Sequence, residues 1–362
     1  MKIIIIGSRS FPDIQGGIEK HCEEIYPILS NDFDILVLTT LKPKYNKWNR
    51  IEFKKIPTIK KKSFEKIVYA FLSSLYCIIT RPDIVHIQGL NSALFIPILK
   101  MFRLKVVYTQ HSTDYNYPKW GWLAKKILLF SEYCGSNADQ ITVVSPLIQK
   151  RFKDEYNKVV EITYNGVNFK KNKNTKNNSF DENILKRKYI LFVGRITPEK
   201  DLITLVKAFN MINDSKLYLV IVGSADHNDR YTREVYSMAS TNKKIIFTGM
   251  VKNNELAILY EKAKLFVLPS KFEAFGIVAL EAIYCNCQIL VSDILPLKQY
   301  DFLEKNHYFK VGNIEDLVNK IRWNINHPIS LEQKTIYKKI VLKRYDWKKT
   351  ATIFKNIYNN LN

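Results

Sequence analysis

Short runs of β-branched and other apolar residues recur along the first half of the chain: IIII at 3–6, FDILVLT at 33–39, IVHIQ at 84–88, KVVYTQ at 105–110 and QITVVS at 140–145. Strands that read apolar throughout are buried on both faces, and their alternation with amphipathic stretches predicts a parallel sheet covered by helices on either side. The pattern stops near Lys170 in KKNKNTKNNSFDEN, which has no apolar period and suits a solvated linker. It then restarts with YILFVG at 189–194, a helix from about Asp201, KLYLVIVG at 216–223, KIIFTG at 244–249, a helix over 255–262, KLFVLPS at 264–270, a helix from about Gly276 and QILVSD at 288–293. The prediction is an α/β chain of two doubly wound domains, 1–169 and 184–340, joined by a linker at 170–183. The tail from 341 to 362 carries Trp347, Ile353, Phe354, Ile357 and Tyr358 at spacings that place one apolar face on a final helix.

A length of 362 residues agrees with two cores, because single cores rarely grow past about 250 residues. The four isoleucines after Lys2 are too few for a secretion signal, and the apolar stretch at 67–79 falls short of the roughly 18 residues that cross a bilayer. Cys22, Cys77, Cys134, Cys285 and Cys287 form no CxxC pair and have no histidine at a metal-ligand spacing, so reduced, buried thiols in a cytoplasmic chain are expected. The net charge of +22 changes the picture more: it attracts polyanions, whether an acidic membrane or nucleic acid, although a Lys-, Ile- and Asn-rich genome accounts for part of it.

Candidate chemistry lies at the strand ends. In PSKFEAFGIVALE (269–281), a buried strand runs into an apolar helix. Gly276 lets a phosphate approach the backbone, and the following helix start offers unpaired N–H groups to an anion. Glu281 inside the helix suits a ribose diol, and Glu273 before it suits hydroxyls of a sugar. The bland reading is one capping and one solvated glutamate. In FVGRITPEKDL (192–202), Arg195 and Lys200 can bracket a diphosphate and stabilise charge on a leaving group; the alternative is a surface basic pair. The loop GSRSFPDIQGGIEKH (7–21) opens a helix on Gly16 and Gly17, which serves either as a tight turn or as a ligand loop; it lacks the GxGxxG spacing of a dinucleotide fingerprint.

Together with DIVHIQG, YTQHSTDY, VVSPLI, YNGV and the Tyr-Asp-Trp tail, these segments closely resemble the retaining glycosyltransferases of family 4, which have the GT-B fold of two Rossmann-like domains facing each other across a cleft. The resemblance covers nearly the whole chain. It implies an acceptor-binding first domain, a nucleotide-sugar-binding second domain, and a last helix crossing back to the first. By that similarity Glu273 contacts the donor sugar, Glu281 the ribose, and Arg195 with Lys200 the diphosphate. Gly194, Phe275, Gly276 and Ile277 complete the donor side, and Gly17 borders the phosphates. His111, whose bland reading is structural, is implied to lie near the transferred sugar, with Gly16, Gly17 and Asp114 on the acceptor side. No general base is assigned to Asp114 or Glu273. Such enzymes usually work without metal, and no DxD here sits in an obvious loop after a strand; no cofactor is expected beyond the nucleotide diphosphate sugar as substrate.

Residues 44–66 hold nine Lys and Arg and lead into the apolar FEKIVYAFLSSLYCII. This suits docking on an anionic leaflet, with Trp120 and Trp122 as further anchors; the alternative is a core helix after a solvated loop. The expected partners are a nucleotide sugar, a saccharide or undecaprenyl-diphosphate-linked acceptor and an anionic membrane, with the protein peripheral at the inner face of the cytoplasmic membrane. Capsule, O-antigen or a related polysaccharide is the expected product, made by a hexosyl- or rhamnosyltransferase. The rivals are a GT-B epimerase or glycogen-type synthase, and a basic nucleic-acid-binding protein, for which no helix-turn-helix or RNA-recognition signature is present.

Overall fold

The computed structural model describes residues 1–58, 65–117, 120–169, 180–225 and 229–361. Parts of two sequence features lie outside them: most of the expected linker, and Lys60 to Lys62 of the basic segment. The chain forms two compact units, Met1–Gly166 with Asp346–Asn362, and Val167–Tyr345.

The first unit runs β1 (Lys2–Ile6), α1 (Gly17–Leu29), β2 (Asp34–Thr39), β3 (Lys47–Trp48), β4 (Ile51–Lys55), α2 (Glu65–Thr80), β5 (Ile84–Gln88), α3 (Leu90–Ala93), α4 (Ile96–Met101), β6 (Lys105–Gln110), α5 (Trp122–Gly135), β7 (Gln140–Val143), α6 (Pro146–Tyr156) and β8 (Glu161–Ile162). Its sheet has the order β3-β4-β2-β1-β5-β6-β7-β8, parallel except for the β3–β4 pair. All of β5 is buried, as are the four isoleucines of β1, as strands covered on both faces must be. The basic segment is not only loop. It contains the β3–β4 hairpin, and in β4 Ile51 and Phe53 point inward while Glu52, Lys54 and Lys55 face solvent, the pattern of a strand with only one face on the core.

The second unit runs β9 (Lys188–Val193), α7 (Leu202–Ile212), β10 (Leu217–Val222), α8 (Arg230–Ser240), β11 (Ile245–Gly249), α9 (Asn253–Lys262), β12 (Leu265–Leu268), α10 (Ile277–Tyr284), β13 (Ile289–Ser292), α11 (Leu295–Lys298), β14 (Tyr308–Phe309), α12 (Ile314–Asn326) and α13 (Leu331–Arg344). Its sheet is wholly parallel, in the order β11-β10-β9-β12-β13-β14. The final helix α14 (Trp347–Leu361) belongs to the first unit and packs on α1. Trp347, Phe354, Ile357 and Tyr358 join Cys22, Ile25 and Tyr26 in one apolar cluster, with Ile353 at its margin.

In each sheet the strand order reverses beside the first strand of the unit: between β1 and β5, and between β9 and β12. The connections there diverge to opposite sides and leave a crevice at the carboxyl ends of the two strands, the place where open α/β sheets bind ligands.

Candidate functional sites

At the reversal in the second unit, the loop after β9 and the loop after β12 are tied together. The Glu199 carbonyl accepts the N–H groups of Lys271 at 2.9 Å and Phe272 at 3.3 Å, and Lys271 Nζ lies 3.0 Å from Asp201 Oδ1. This brings the GRITPEK and PSKFEAFG segments into one site. Lys200 Nζ pairs with Glu273 Oε1, and Ser270 Oγ donates to the same oxygen at 2.8 Å. Both charged side chains are largely buried, so the pair is shielded from salt more than a surface pair is. Gly223, after β10, comes close to the start of the β9 loop: a Cβ on it would collide with the Gly194 carbonyl oxygen at 2.0 Å, and one on Gly194 would sit 3.2 Å from the Phe192 ring. Arg195 follows at the end of β9, half-buried, with the next amide, Ile196 N–H, bonded to the Ser224 carbonyl at 3.1 Å.

Gly276 starts α10 in the left-handed conformation, φ 83°, and a Cβ there would meet Leu297 Cδ2 at 2.6 Å. Glycine is therefore required twice, by backbone and by space. The Tyr300 hydroxyl braces the turn by donating to the Phe275 carbonyl at 2.8 Å, with the Gly276 carbonyl at 3.1 Å. Glu281, one turn into the helix, accepts from Tyr260 OH at 3.2 Å. Burial, reinforced by the Glu281 charge, holds the Tyr260 phenol well above its ordinary pKa, so it remains a donor. Phe275 is buried and Ile277 half-buried beside the turn. Ser270, Tyr260 and Tyr300, which support these groups, carry no local sequence signal that marks them out.

The first unit builds its reversal point differently. A Cβ on Gly7, after β1, would meet the Gln88 carbonyl oxygen at 2.0 Å, so the two strand ends touch. Gly16 caps α1, and the preceding loop is held by Arg9, whose Nε lies 2.9 Å from Glu19 Oε1 and whose guanidinium also donates to the Gln15 carbonyl. A Cβ on Gly16 would strike Glu19 Oε2 at 1.9 Å, whereas one on Gly17 would meet nothing within 4 Å. Gly17 thus leaves open space at the helix start.

His111, just beyond β6, is buried. Its Nε2 lies 2.5 Å from Gln88 Oε1, and its ring stands edge-on to His21 at 4.7 Å. Gln88 Nε2 donates to Tyr26 OH at 2.6 Å, while His86 bridges Thr109 Oγ1 at 2.7 Å and Tyr358 OH of α14 at 2.5 Å. With Gln88 so placed, His111 donates through Nε2 and keeps a lone pair on Nδ1. Burial holds the pKa of His111 and His86 well below the usual value, with neighbouring histidines adding to it, and lowers His21 to about 4 against an Asn165 hydrogen bond at 2.9 Å. All three rings are neutral at pH 7. Asp114 opens a single turn three residues on; its neighbour Tyr115 donates to the buried Glu132, which also accepts from Gln110, Arg151 and Tyr156.

The five cysteines are free and buried, and burial pushes the thiols of Cys77 and Cys287 up to about 12, which makes them packing groups rather than nucleophiles.

Residues 174–340 match the family described as Glycosyl transferases group 1, and residues 15–171 match Glycosyltransferase Family 4. The chain is 27% identical to an uncharacterized glycosyltransferase of Methanocaldococcus jannaschii over 99% of this chain and 98% of the relative. It is 30% identical to the O-antigen chain mannosyltransferase RfbU of Salmonella typhimurium over 42% of each chain. Among solved structures, the sucrose-phosphate synthase from Thermosynechococcus elongatus superposes with a TM-score of 0.83 at 18% identity, covering 99% of this chain and 98% of that one. Anabaena HepE in complex with UDP-glucose gives 0.79 at 16%, covering 99% and 100%. With both halves matched and the paired parallel sheets in place, the chain belongs to the family 4-like glycosyltransferases of GT-B fold.

Proposed function

We propose that this glycosyltransferase moves a hexose or rhamnose from a nucleoside diphosphate sugar, with retention of anomeric configuration, onto a saccharide carried on undecaprenyl diphosphate during assembly of a capsule, O-antigen or related cell-surface polysaccharide. The observation that carries it is the shielded Lys200–Glu273 pair beside the Gly276 helix start. A diphosphate at this point meets the Lys200 ammonium, the Arg195 guanidinium and first-turn amides of α10. As the bond between C1 of the sugar and the β-phosphate oxygen breaks, charge builds on that oxygen, and groups already held in place stabilise it without reorganising. Glu273, held in place by Lys200 and Ser270, then accepts hydroxyl hydrogens of the sugar, and Glu281 those of the ribose. In the first unit, neutral His111 offers its Nδ1 lone pair as an acceptor for a sugar hydroxyl.

The charge that a divalent ion would supply comes, in this reading, from the two side chains and the helix, so no metal is required. O-antigen mannosyl transfer by RfbU and the UDP-glucose held by HepE favour this class of donor and product. The test is a thermal-shift screen of UDP, GDP, dTDP and ADP sugars with and without EDTA, followed by transfer to a lipid-linked saccharide and NMR of the new anomeric centre. One donor should stabilise the fold in both conditions and give a retained product. No stabilisation by any donor, an inverted product, or a 2-epimer in place of a transfer product would overturn it.

A further inference from the structure

Three helices of the first unit turn the wrong residues outward. On α2, Phe71, Leu75 and Ile79 recur every four residues and are exposed, Ile79 to 72%, while Ser73 and Ser74 are buried. On α5, Trp122, Leu123, Ile127, Phe130 and Tyr133 are exposed, Trp122 to 71%, while Ser131 and Glu132 are buried. Between them α4 and the residue after it expose Met101, to 73%, and Phe102. These elements are neighbours: α4 packs against both α2 and α5, and Phe71 contacts Phe95 ring to ring at 5.7 Å. Since all three connect strands in the same direction across the sheet, right-handed crossovers put them on one face, opposite α1 and α14. A contiguous apolar surface of this kind marks an interaction site.

The charges around it select the partner. Lys66, Arg81, Arg103 and Lys126 are exposed at its edges, Lys54 stacks on Tyr76 of α2, and Lys126 lies over the Trp122 ring at 5.0 Å. The acids on these helices are Glu132, buried, and Glu65, half-buried. Among the described residues no helix is long and apolar enough to cross a membrane. An apolar face rimmed by cations on helices too short to span fits in-plane insertion at an acidic leaflet.

We infer that the joined outer faces of α2, α4 and α5 form an interfacial docking surface for an anionic lipid bilayer. The inference builds on the proposed lipid-linked acceptor, which such docking would bring to the first unit, but its evidence is separate. It extends the anchor expected at 44–79 from α2 to the exposed faces of α4 and α5, with Trp122 at its rim.

The test is cosedimentation of the full chain with phosphatidylglycerol-containing vesicles and with phosphatidylcholine vesicles, alongside Phe71→Ser/Leu75→Ser/Ile79→Ser and Trp122→Ala/Phe130→Ser. The native chain should bind the acidic vesicles at physiological salt, and each variant, folded by circular dichroism, should lose at least about tenfold in partitioning. Vesicles should also shift the tryptophan emission to the blue, and Trp122→Phe should remove most of that shift. Absence of binding to acidic vesicles, or binding unaltered in both variants, overturns the inference. So does a concentration-dependent dimer that the variants abolish without any vesicle binding, which would assign the face to a second copy. Donor stabilisation of the second unit should persist in the variants, so loss of docking and failure of the proposed transfer are told apart.

Discussion

The two reversal points of the two sheets are similar in topology and different in electrostatics. The second unit concentrates fixed charge there: Lys200 against Glu273, Lys271 against Asp201, and Arg195 beside them. The first unit keeps one ion pair there, Arg9 with Glu19, and otherwise concentrates neutral hydrogen-bonding groups, with His111, Gln88 and His86 buried and the histidines too desolvated to protonate at neutral pH. In the proposed function, one set serves a diphosphate whose charge changes during bond breaking, and the other serves uncharged hydroxyls that need acceptors and donors in place. The same fold position hosts both because the strand-end loops, not the sheets, supply the chemistry.

The strongest way to break this contrast is to remove a cation from the second unit. Arg195→Ala or Lys200→Ala should lower kcat by roughly 10²- to 10³-fold, with a smaller change in donor affinity, because the charge is needed most in the transition state. Equal losses in affinity and rate, measured by steady-state kinetics and calorimetry, would make these residues mere binding groups.

The next effect belongs to the first unit and is read in pH. His21 has its folded pKa depressed to about 4, below an ordinary value of 6.5, so the unfolded chain takes up a proton first as pH falls. The stability it contributes is complete above 6.5, declines below that, and is gone by about pH 4. At pH 5 the loss is about 2 kcal/mol from this residue, with His86 and His111 shifting in the same direction. Urea unfolding at pH 7 and 5 should show His21→Gln to be less pH-sensitive than the native chain; an unchanged difference would mean the ring is not the group responsible.

The smallest change expected is Glu281→Ala, which should weaken the preferred donor roughly tenfold while leaving kcat near native, since a ribose contact is made equally before and during reaction. A fall in kcat of similar size would move Glu281 into the group that senses the reacting centre.

The parts of the site that were legible in the sequence are those held by local backbone rules. Gly194, Arg195, Lys200, Glu273 and Gly276 follow buried strands at strand-to-helix turns, where glycine and charge stand out against apolar runs, and Glu281 lies one turn into the helix that follows. The supporting groups were not legible. Gln88 reaches His111 across 23 positions and Tyr358 reaches His86 across 272, and no spacing rule connects them. Strands β3, β8 and β14, of two residues each, are too short for a period, and β4 hid in a run of lysines because only Ile51 and Phe53 face inward.

By itself the sequence determined two α/β units with parallel central strands, and the turns that carry the charged motifs, because burial of continuous apolar strands and the backbone demands of glycine are local constraints. Tertiary structure alone decided that the Glu199 carbonyl would bind the Lys271 and Phe272 amides of another segment, that three histidines would be desolvated, and which side of α2 and α5 would meet solvent. Apolar period cannot settle that last choice in a helix rich in apolar residues all round: Ser73, Ser74 and Ser131 went inward because close helix packing favours small side chains, and Phe71, Leu75 and Phe130 were left outside.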